Sequence, residues 1–145
     1  MKITTESAEE TKEVGGGISP DFLKEGGVIA LSGELGAGKT TFVQGFAKGI
    51  GVKDRIISPT FVLMRQHQIP KSEKMLYHVD LYRLEGEVNI DELGLKDLFI
   101  DPNSIVIIEW AEKIKNLLPK NTTFIELEKL SENSRSIEVK SFSEN

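Results

Sequence analysis

The residues Gly33-Glu34-Leu35-Gly36-Ala37-Gly38-Lys39-Thr40 satisfy the spacing G-x-x-x-x-G-K-[ST] of a phosphate-binding loop. The chemistry behind that spacing is anion binding. Glycines let the backbone turn its amides toward phosphate, the following helix aims its positive end at the same point, and the lysine ammonium reaches the terminal phosphates. Gly36, Ala37, Gly38 and Lys39 are therefore candidate phosphate contacts, and the Thr40 hydroxyl is a candidate magnesium ligand. Thr41 either touches the α-phosphate or caps backbone amides. A chance glycine-rich turn is the competing reading. It is weakened by context, because an apolar run, Val28 to Ser32, precedes the loop and a helical pattern follows it.

A nucleotide-bound magnesium ion usually needs a carboxylate from a neighbouring strand, directly or through water. Two apolar runs end in one: "IVIIE" presents Glu109, and "MLYHVD" presents Asp80. Either acid could instead be an ordinary solvated residue at a sheet rim, a reading that fits Asp80 better than Glu109. "ISPTF" places Thr60, stiffened by Pro59, where nucleotide switches sense a terminal phosphate, although a plain turn fits as well. His78 lies two residues before Asp80 and so shares its strand face, and packing is its commoner role. Arg83 is read as a phosphate neutraliser or a surface ion-pair partner. Trp110 is read as a pocket wall, a partner surface or a core residue, and His67 is assigned nothing.

The elements that must position these groups follow from periodicity and punctuation. Ser7-Ala8-Glu9-Glu10 has the form of a capping box and predicts a short helix from Ser7, closed by Gly15-Gly16-Gly17. Ser19-Pro20-Asp21 predicts a new turn with proline in its first helical position. Val28 to Ser32 predicts a buried strand. Phe42, Val43, Phe46, Ala47 and Ile50 predict a helix stopped by Gly49 or Gly51. Extended segments are expected over Thr60 to Ile69 and Met75 to Arg83, a helix over Asp91 to Phe99, a strand over Ile105 to Glu109, and a helix over Ala111 to Leu118. Two alternating runs, Thr123 to Leu127 and Ser136 to Val139, flank the turn-rich "SENSR". The expected fold is a three-layer α/β domain of the P-loop NTPase kind over residues 1–145. Its mixed central sheet is parallel near the loop and antiparallel at its edges.

Composition narrows the function classes. With 145 residues and 39% hydrophobic content the chain can bury one core, and with no cysteine it has neither thiolate metal sites nor a cysteine nucleophile. No run approaches the roughly 20 apolar residues of a membrane span, and no signal-peptide core follows Met1, so a cytoplasmic protein is expected. The net charge is -5, and the 18 lysines and arginines are scattered, only Arg55, Arg65, Arg83 and Arg135 being arginine. Such a chain is a poor polyanion binder, so contacts to nucleic acid would have to come from other subunits.

Taken in order, "GELGAGKTTF", "SPTF", "YHVDLYRL", "ELGLKDLF" and "IIEWAEKI" with "LLP" behind it resemble the TsaE family, formerly called YjeE, from Ser7 to Pro119. The tail beyond Pro119 resembles it only loosely. Gly15-Gly16-Gly17 and Pro20 depart from the family's usual first helix. These are small P-loop ATPases of bacterial tRNA threonylcarbamoyladenosine synthesis. The resemblance implies that Lys39 and Thr40 hold phosphate and magnesium, that Glu109 supplies the acidic metal contact, and that Thr41 and Asp80 are needed for hydrolysis. It also implies nucleotide contacts near Ser7 and Ala8 and from Arg135. The implied cofactors are ATP and Mg2+. The implied partners are the TsaB and TsaD proteins, with tRNA met only indirectly through that complex. A small-molecule kinase is disfavoured by the scarcity of arginine, a GTPase by the absence of "NKxD", and a non-enzymatic ATP switch stands as the remaining alternative.

Overall fold

The computed structural model describes residues 1–59, 63–83 and 94–141. In chain order the elements are β1 (Lys2–Thr5), α1 (Ala8–Glu25), β2 (Gly27–Ser32), α2 (Lys39–Gly49), β3 (Met64–Gln68), β4 (Met75–Asp80), α3 (Leu95–Ile100) and β5 (Ser104–Glu109). A 3-10 helix (Ala111–Leu117), β6 (Thr123–Lys129) and β7 (Arg135–Ser141) complete the chain. The strands form one sheet in the order β1-β7-β6-β2-β5-β4-β3. Its centre, β6-β2-β5-β4, is parallel, while β7, β1 and β3 are antiparallel to their neighbours. The expected mixed α/β sheet is the observed one.

β2 and β5 are almost wholly apolar because both of their faces are covered. Alternate residues part to opposite sides. Ile29, Leu31, Ile105 and Ile107 pack with Phe42 and Phe46 of α2. Val28, Ala30, Val106 and Ile108 pack with Leu95 of α3 and with Ala111 and Ile114 of the 3-10 helix. The result is helix, sheet and helix in three layers.

Four expectations are corrected. The triple glycine and Pro20 do not break α1, which runs on to Glu25. Tertiary packing explains it. A Cβ on Gly15 would lie 2.4 Å from the Phe42 carbonyl oxygen and one on Gly49 2.7 Å from that of Gly16, so the glycines bring α1 and α2 into backbone contact. Pro20 lacks the amide that would bond the Gly16 carbonyl four residues back. The Ser19 hydroxyl takes its place, donating to the Gly16 oxygen at 2.9 Å. The second correction concerns β4, which ends at Asp80 rather than Arg83, the chain turning at Tyr82. Third, the segment after Trp110 is a 3-10 helix with a kink at Ile114, not a regular α-helix. Fourth, β1 was not anticipated and exists by pairing with β7. Thr60 and residues 91–93 of the expected helix lie outside the described residues.

Candidate functional site

The site gathers at the carboxyl ends of the parallel strands, where α/β sheets place their ligand crevices. β2 delivers the phosphate loop. Gly33, Gly36 and Gly38 have φ of 141°, 81° and 98°, which only glycine adopts without strain. Gly38 is the N-cap of α2 and brings no side-chain cap, so the first amides of the helix have no side-chain acceptor. A Cβ on Gly36 would meet nothing within 4 Å; the residue instead borders an open cleft. That pairing of uncapped amides with open space fits an anion.

The Lys39 ammonium donates to the Gly33 carbonyl and, at 3.1 Å, to that of Glu34. It also lies 4.2 Å from the centre of the Trp110 ring. Burial pushes the lysine below its usual value of 10.5, and the charges of Glu109, Glu112 and Asp80 oppose that shift. A phosphate group would supply the counter-charge that burial makes valuable.

The two carboxylates named from strand ends are cross-strand partners, Asp80 of β4 standing in register with Glu109 of β5. Both are buried. The Thr40 hydroxyl donates to Glu109 at 3.1 Å, and His78 Nε2 meets the Oε2 atom of the same carboxylate at 2.5 Å. Asp80 accepts from the Ser58 hydroxyl at 2.7 Å and from the Tyr82 amide at 2.9 Å. Thr40 and Glu109 form an oxygen donor pair suited to a hard cation. Among the described residues no group of three or more His, Cys, Asp or Glu side chains could hold a metal. A cation here would take its remaining ligands from phosphate and water, as magnesium does.

The cleft encloses about 400 Å³ and is bordered by the loop, both carboxylates, Thr41, Ser58, Tyr82, Trp110 and Arg135. A smaller pocket of about 80 Å³ adjoins it, bordered by Ala8, Thr11, Thr41 and Arg135. Arg135, at the start of β7, is held by the carbonyls of Ser131, Glu132 and Ser134. The Ser7 hydroxyl accepts the Glu10 amide at 3.1 Å and caps α1, as the capping-box spacing predicts. Ala37 faces the core below the loop, and its amide closes a turn onto Glu34 at 3.0 Å.

Sequence reasoning passed over Ser58, whose position beside "PTF" is its only local signal, and gave His78 no link to Glu109. Trp110 borders the cleft as well as packing on the second core cluster. Its backbone is left-handed, with φ of 61° and ψ of 36°, an unusual state for a bulky side chain that turns the chain sharply after Glu109.

The sequence model of the family described as "Threonylcarbamoyl adenosine biosynthesis protein TsaE" matches residues 5–137. The chain belongs to the TsaE family. The match runs past Pro119 and includes Arg135, so the resemblance extends through most of the tail. A "tRNA threonylcarbamoyladenosine biosynthesis protein TsaE" from Bacillus subtilis is 36% identical over 94% of this chain and 83% of its own length. The Treponema pallidum protein of the same name is 35% identical over 96% of this chain and 99% of its own length. A crystal structure of Bacillus subtilis YdiB superposes with a TM-score of 0.78 and 31% identity, covering 98% of this chain and 85% of that one. Among the described residues no helix is long and apolar enough to cross a membrane.

Proposed function

We propose that this TsaE-family chain is a magnesium-dependent ATPase that acts as an accessory subunit with TsaB and TsaD in tRNA N6-threonylcarbamoyladenosine modification in the cytoplasm. The observation carrying the proposal is that Thr40 and Glu109 are in hydrogen-bond contact at the end of the phosphate loop, with Asp80 in register beside them. Family membership supports the pathway, and the net charge of -5 suits a subunit that leaves tRNA to its partners.

In this reading the loop amides from Gly36 to Thr40 and the Lys39 ammonium bind the phosphates, with Thr41 beside the α-phosphate. Ala8 and Arg135 border the smaller pocket beside Thr41, where the nucleoside end fits, and Ser7 fixes the helix start there. Thr40 and Glu109 hold magnesium, which neutralises phosphate charge when bound. His78 keeps Glu109 oriented. Asp80, fixed by Ser58 and the Tyr82 amide, orients the attacking water or accepts its proton. Catalysis by positioning and charge neutralisation needs no covalent intermediate.

The test is ATP turnover by the chain alone and with purified TsaB and TsaD, in magnesium and after chelation. Turnover rises with the partners and stops on chelation. Lys39→Ala and Glu109→Ala each lower it by about a hundredfold or more, the scale of losing a preorganised charge-stabilising group. Wild-type turnover in either variant would refute the mechanism.

A further inference from the structure

Beside the nucleotide cleft, and sharing Thr40 and Ser58 with it, lies a second and larger groove of about 880 Å³ between α1, α2 and the loop 51–58. Its charges are unbalanced against the trend of the chain. The carboxylates on it are engaged, Glu9 with Lys12 at 3.6 Å and Asp54 with His67 at 2.9 Å. The cations Lys48, Lys53 and Arg55 are exposed and have no ion pair among the described residues. Between them Ile57, 43% exposed, offers apolar surface, backed by the buried Val52 and Ile56 that also line the groove.

We infer that this groove docks an acidic, partly apolar polypeptide segment of the protein partner, and that its occupancy acts on the ATPase site through the loop 51–58. The inference rests on the partner-dependent reading above. Three cations around apolar surface complement a few carboxylates interspersed with aliphatic side chains. A nucleic-acid backbone would use the cations alone and leave the exposed Ile57 uncovered. The loop is a physical link to the chemistry. Gln44 of α2 pins it by donating to the Ile56 carbonyl at 3.1 Å, and its end at Ser58 holds Asp80 at 2.7 Å. A segment seated on Ile57 and the loop around it therefore fixes Ser58, and with it the Asp80 carboxylate.

The experiment compares wild-type chain with the double variant Lys53→Glu/Arg55→Glu, both sites being exposed and outside the nucleotide cleft. Binding to purified TsaB and TsaD is measured at low and moderate salt, beside ATP affinity of the chain alone. The variant binds the partners roughly tenfold or more weakly and loses the salt dependence shown by wild type. Its partner-stimulated turnover falls while ATP affinity of the lone chain is unchanged. The charge-preserving Lys53→Arg/Arg55→Lys variant retains binding. Equal partner affinity of the charge-reversed variant and wild type overturns the groove assignment and leaves the ATPase reading intact. Loss of affinity for tRNA with partner binding kept also overturns it, in favour of an RNA site. If wild type itself fails to bind TsaB and TsaD, both readings fall together.

Discussion

The glycines of the helix pair α1–α2 and Gly36 of the phosphate loop use one residue type for opposite reasons. Gly15, Gly45 and Gly49 sit in helices, where an added Cβ would meet backbone at 2.4, 2.0 and 2.7 Å. Space, not conformation, selects glycine there. Gly36 has φ of 81°, and a Cβ on it would meet nothing within 4 Å. Conformation, not space, selects glycine at position 36, whose open side borders the cleft. Packing glycines hold α2 against α1, and conformational glycines shape the turn that enters the same helix.

Gly45→Ala should produce the largest loss of stability. Its Cβ would stand 2.0 Å from the Lys12 carbonyl oxygen and 2.4 Å from the Lys12 Cα, and neither backbone atom can step aside without parting the helices. The added methyl gains helix propensity of under about 1 kcal/mol but forces the two helices apart, for a net loss of ~2–3 kcal/mol. Denaturant unfolding measures this directly. A variant as stable as wild type would show that α1 and α2 are not in backbone contact.

The contrast also explains what could be read from the chain. The phosphate loop was legible because its glycines answer a local demand, and a fixed spacing between strand and helix records it. Glu109 and Asp80 were legible as acids closing apolar runs, but their pairing in register depends on β4 lying beside β5, which no local pattern encodes. Gly15-Gly16-Gly17 was misread as a helix stop because its partner surface lies about thirty residues away on α2. The same distance problem hid β1, whose pairing partner β7 closes the chain. Ser19 as the donor that replaces Pro20's missing amide was visible only once the helix was known to continue.

Gly36→Ala sharpens the other half of the comparison with a smaller effect on folding. An L-residue in the left-handed region costs roughly 1–2 kcal/mol, so unfolding free energy falls by that amount. The methyl would also border the cleft, so ATP affinity falls further than the stability change accounts for. Gly45→Ala, measured where it remains folded, should keep the loop and most of its affinity. Titration of both variants with a fluorescent ATP analogue separates the two kinds of glycine. An unchanged affinity in Gly36→Ala would mean that position 36 does not face the phosphates.

The smallest effect is expected at Gly17, and its sign is reversed. It lies in the same triplet as Gly15, on α1, yet a Cβ there meets nothing within 4 Å and its φ is not positive. Neither space nor conformation then requires glycine, and alanine lowers the entropy lost on folding. Gly17→Ala should stabilise the chain by about 0.5–1 kcal/mol. Thermal and denaturant unfolding beside Gly15→Ala would give shifts of opposite sign from neighbouring glycines. A destabilised Gly17→Ala would mean that the exposed face of α1 meets something at that position, and the division of the triplet into packed and free glycines would have to be redrawn.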